Sequence, residues 1–135
     1  MPKRRRGSRT APRRPGRHVP FEELVERAIA RIPDPFRAAL AEVAIVIDDD
    51  LTPEGRHASG LAPDEDLYGL YEGVPRTEYG ADWTAAPNRI TLFRLPLEED
   101  FADPAELAEE VRITVIHELA HHLGIDDDRL EELGV

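Results

Sequence analysis

Residues 117 to 127 read His-Glu-Leu-Ala-His-His-Leu-Gly-Ile-Asp-Asp, and they carry the densest chemistry in the chain. Residues four apart on an α-helix share a face, so His117 and His121 can aim both imidazoles at one point. Two neutral imidazoles that converge make half of a tetrahedral zinc site. Glu118 is displaced around the helix, where its carboxylate can hold a water on the metal and act as a general base. The pattern is that of a hydrolytic zinc site. His122 lies about 140° around the helix from His117, so it is expected to be packed or solvated and not to share the metal.

The continuation of the motif is informative. Gly124 can adopt the left-handed conformation that ends a helix. A chain that turns back there can bring a following residue to the metal. In full the motif is HExxHxxGxxD, and here the sequence resembles the Asp-zincins. More closely, it is similar to a family of small bacterial zinc metallopeptidases with a minimal zincin-like fold. The resemblance rests on HELAHHLGIDDDRLEEL, on NRITLFRLP before it, and on GLYEGVPRTEY, and it spans roughly residues 20 to 135. It implies that Asp127, six residues beyond His121, is the third ligand after His117 and His121. Water would hold the fourth position, as catalytic zinc requires. Asp126 and Asp128 are then expected to cap a last helix over residues 129–133, since acidic groups stabilise a helix N-terminus.

The implied activity is zinc-dependent peptide hydrolysis with Glu118 as the catalytic base, acting on a peptide or protein substrate. Tyr68, Tyr71, Arg76 and Tyr79 are candidates to stabilise the oxyanion. Two features depart from larger relatives. Met1 is the only methionine, so a methionine turn beneath the metal is not expected. Eleven residues follow Gly124, so the expected cleft is shallow. Two other readings stay open. A non-catalytic zincin-like binding protein would keep the site as structure. A metal-dependent nuclease is suggested by a bacterial endoribonuclease family whose HGxLHLxGYDH motif is similar in spacing. That motif has Gly where this chain has Glu118 and His where it has Asp127, and Glu118 favours peptide hydrolysis.

These residues need a scaffold. A chain of 135 residues supports one core. It has no cysteine, so the ligands must be nitrogen and oxygen and no disulfide holds the fold. No apolar run approaches the roughly 20 residues of a membrane helix, and no hydrophobic segment follows the basic N-terminus to make a secretory signal. The cytoplasm is the expected compartment.

Charge divides the chain. Residues 1–18 carry eight basic groups, from Lys3 to Arg17, and no acidic one. The whole chain carries −11, so removing those eight positive charges leaves −19 for residues 19–135. The arm, rich in Pro and Gly and poor in large apolar residues, is expected to be disordered. It can contact nucleic acid or another polyanion, or remain a solvated tail. Residues 19–135 are expected to form the zincin-like domain.

Within that domain Phe21, Leu24, Val25, Ala28, Ile29 and Ile32 mark the apolar face of a first helix. A short helical turn over 36–40 and a strand over 43–47 follow. Residues 51–89 read as a long loop, and 89–95 as a second strand. Asp103-Pro104-Ala105-Glu106 starts the helix that carries the histidines, running to about Leu123. The fold class is therefore α+β, a small mixed sheet packed against the HExxH helix. In zincins the strand before that helix borders the cleft, so the resemblance implies that 90–95 offers a free edge to an extended substrate.

Overall fold

The structure, a computed structural model, describes residues 19–62, 65–73 and 88–134. The basic arm, Arg76 and Tyr79 lie outside the described residues.

Helix α1 (Phe21–Ala30) buries Phe21, Leu24, Val25 and Ala28, the stripe expected from its spacing. Helix α2 (Phe36–Ala39) and a 3₁₀ turn (Leu40–Glu42) lead into strand β1 (Val43–Asp48). Two elements then occupy the stretch expected to be loop. Helix α3 (Pro53–Ala58) starts with Pro53 in its first turn, and the Thr52 hydroxyl accepts the Gly55 N–H at 3.0 Å. Strand β2 (Gly69–Glu72) follows. Arg56 ties the two together, pairing with Asp50 and Asp66 and donating to the Glu65 carbonyl.

Strand β3 (Asn88–Phe93) ends two residues before the expected limit, because Arg94 begins helix α4 (Arg94–Asp100). Pro96 does not break this helix. It stands in the first turn, where the N–H it lacks has no intrahelical partner anyway. Helix α5 (Pro104–Leu123) begins as expected, with the Asp103 carboxylate accepting the Glu106 N–H at 3.1 Å. Helix α6 (Asp127–Leu133) starts two residues earlier than expected, with Asp126 as its cap.

The sheet order is β1-β3-β2, with β1 parallel and β2 antiparallel to β3. This corrects the edge reading of 90–95. β3 is the central strand, laddered on both sides, and Ile90, Thr91, Leu92 and Phe93 are all buried. Among the described residues, the edge nearest α5 belongs to β2. The Phe93 N–H donates to the Tyr68 carbonyl at 2.9 Å, which marks that pair as hydrogen-bonded. In an antiparallel ladder such pairs alternate, so Leu70 and Glu72 face β3 while Gly69 and Tyr71 turn their backbone groups outward.

Helix α5 lies against this sheet and α1. Its Leu107, Val111, Thr114, Val115 and Leu119 are buried, as their helical intervals require. Gly69 permits the close approach. A Cβ there would sit 2.7 Å from the Thr114 Cγ2, and Thr114 is fixed by its hydroxyl donating to the Glu110 carbonyl at 2.8 Å. Gly69→Ala should therefore lower unfolding free energy by about 1–3 kcal/mol through overpacking, measured by urea denaturation. Adding Thr114→Ser, which removes only the obstructing methyl, should restore most of the loss. No recovery would mean that strain elsewhere in β2 sets the cost.

Candidate metal centre on helix α5

Helix α5 ends at the expected glycine. Gly124 has φ 72° and ψ 25°, the left-handed conformation that costs glycine least. Its N–H donates to the His121 carbonyl at 3.2 Å, and the Ile125 N–H to the Ala120 carbonyl at 2.8 Å. These paired bonds are a Schellman closure, and they reverse the chain over the last turn of the helix. Asp126 then accepts the Arg129 N–H at 2.9 Å, so its carboxylate is occupied as the cap of α6. Asp127 follows in the first turn of α6, exposed.

The consequence is a shared cavity. His117, His121, Gly124, Ile125, Asp126 and Asp127 line one pocket of about 270 Å³. Both imidazoles are only partly buried, so they reach solvent from opposite ends of one helical turn. The chemistry of this donor set, two imidazoles and a carboxylate, fits zinc. Among the described residues no group of three or more His, Asp or Glu side chains is placed to hold a metal ion. What the fold brings together is the histidine pair, with Asp127 on the wall of the same cavity.

Glu118 is placed differently. It is fully buried and is not among the residues lining the cavity. Its Oε1 accepts the Tyr71 N–H at 2.8 Å, one of the outward-facing groups of β2. The helix carboxylate is thus held against the sheet edge one residue from the first imidazole.

His122, expected to be packed or solvated, is packed. It is fully buried, with Nδ1 3.0 Å from the Tyr71 hydroxyl and Nε2 3.1 Å from Glu42 Oε1. The remaining oxyanion candidates resolve unevenly. The Tyr68 hydroxyl donates to the buried Asp100 at 2.6 Å and its ring meets Phe101 edge-on at 5.8 Å, so Tyr68 belongs to the core. Tyr71 lies beside the site, its ring centroid 5.3 Å from that of His121, but its hydroxyl is engaged with Asn88 and His122. Sequence reasoning missed Tyr71 as a partner of Glu118. A contact through a backbone amide leaves no trace in residue type.

A family model described as zincin-like metallopeptidase matches residues 40–135. Among solved structures, a conserved hypothetical protein from Thermo thermophilus matches at 28% identity and a TM-score of 0.47, over 84% of this chain and 94% of that one. No curated protein matches the chain.

Proposed function

The chain belongs to the zincin-like metallopeptidase family, and from that premise we propose that it is a zinc-dependent peptidase. The observation that carries the reading is the single cavity walled by His117, His121 and Asp127. Those three residues would hold the metal, and Asp127 is favoured over Asp126 because the latter already caps α6. When bound there, zinc supplies Lewis-acid polarisation of a carbonyl and lowers the pKa of water.

The protein's own groups do the rest. Tyr71 N–H anchors Glu118 at Oε1, and the Glu118 carboxylate is the group assigned to take the proton from the attacking water and return it to the leaving amine. β3, laddered on both sides, offers no edge to an extended peptide, since backbone pairing needs an unsatisfied edge.

The test is zinc analysis of the purified full chain together with cleavage of a broad peptide library. Near-stoichiometric zinc with zinc-dependent cleavage supports the reading. Stoichiometric zinc without cleavage of any peptide would replace it with a non-catalytic zincin-like binding role.

A further inference from the structure

Behind the histidine pair runs a buried chain of polar groups that the ligand motif does not account for. Glu42, at the end of the 3₁₀ turn, meets His122 Nε2 at 3.1 Å. Glu42 Oε1 can only accept, so that nitrogen carries a proton. The Tyr71 hydroxyl lies 3.0 Å from both His122 Nδ1 and Asn88 Oδ1. The chain joins four elements: the 3₁₀ turn, α5, β2 and β3. All its members except Glu42 are buried.

Tyr71 is where this chain meets the site. Its ring packs against both histidines, with centroids 5.3 Å from His121 and 5.7 Å from His122. Its backbone amide holds Glu118. β2 is only four residues long and, among the described residues, is laddered on one side, so that ladder alone gives weak control over where residue 71 points its amide. A phenol hydroxyl bonded at the far side of the ring supplies the missing constraint. We propose that Tyr71 is a positioning residue, orienting Glu118 through its amide and bracing His121 with its ring, and that the Glu42–His122–Asn88 cluster exists to fix Tyr71 in that place. His122 is then the anchor of the anchor, and the doubled histidine divides one helix turn between metal and sheet. The catalytic consequence rests on the peptidase reading, whereas the orienting role does not.

The test uses the full chain without added metal, following hydrogen exchange at residue 71 and at the amides of α1. Tyr71→Phe keeps the ring and the amide but removes the hydroxyl. His122→Leu removes both contacts of the imidazole, and His122→Asn restores an amide group at the level of Nδ1. Tyr71→Phe and His122→Leu should each speed exchange at residue 71 by about 10-fold while the α1 amides keep their protection, as loss of one buried hydrogen bond predicts. His122→Asn should recover much of that protection. Zinc stoichiometry should be unchanged in all three, and kcat for any peptide cleaved should fall by about 10-fold at constant KM. Exchange at residue 71 equal to that of the parent would overturn the proposal, as would a uniform loss of protection reaching α1, which marks a packing role alone. Should His122→Leu fail to fold, Glu42→Gln at the partly exposed end of the chain must still speed exchange at residue 71, or the proposal falls. A parent that cleaves nothing but shows the local exchange pattern would sink the peptidase reading and leave the positioning role standing.

Discussion

Replacing Glu118 with Gln is expected to lower peptide hydrolysis by about 10²- to 10⁴-fold, the range for removal of a general acid–base group. Metal content and fold should survive. Glutamine keeps the carbonyl oxygen that accepts the Tyr71 N–H, so the contact between α5 and β2 persists, but it cannot take a proton from water. Because residue 118 is fully buried, the substitution also replaces an ionisable group with a neutral one, and stability should not fall. The measurements are kcat/KM, zinc per chain and the melting temperature of parent and variant. Residual activity at the parental level would mean that another group is the base. Loss of zinc would mean that Glu118 is itself a ligand.

His117→Ala and His121→Ala should each abolish stoichiometric zinc. Each removes one of the two imidazoles on the cavity wall, and a carboxylate with a single imidazole is a poor zinc site. Linkage gives an independent readout. Zinc at about a hundred times its Kd should stabilise the parent by about 2.7 kcal/mol, roughly 10 °C in Tm for a domain of this size, and should leave both variants unshifted. Asp127→Ala should weaken zinc binding strongly. Asp126→Ala should keep zinc and cost about 1 kcal/mol of stability, the usual effect of losing a helix cap. If Asp126→Ala loses zinc while Asp127→Ala keeps it, the assignment of the third ligand is reversed.

The sequence by itself determined helix α5 and its ends. Asp103 and Pro104 start it, Gly124 stops it, and the apolar interval from Leu107 to Leu119 says which face is buried. All of these are local rules, acting within a few residues. The same rules placed His117 and His121 on one face and sent Asp126 to cap α6. They were also present at Thr52 and Pro53, the start of α3, and at Pro96 in the first turn of α4, but no long apolar stripe followed to announce a helix. Only the tertiary structure decided the sheet. β2 is only four residues long, and pairing with β3 makes it a strand, because ladder bonds come from residues about twenty positions away. That pairing put β3 in the centre and turned the backbone groups of Gly69 and Tyr71 away from it. It also decided what Glu118, Tyr71 and His122 do. Their contacts with one another, with Glu42 and with Asn88 span 17 to 80 residues of sequence. Residue type and helical period give the direction of a side chain on its own helix, but the group that meets it there is set by how the helix packs on the sheet.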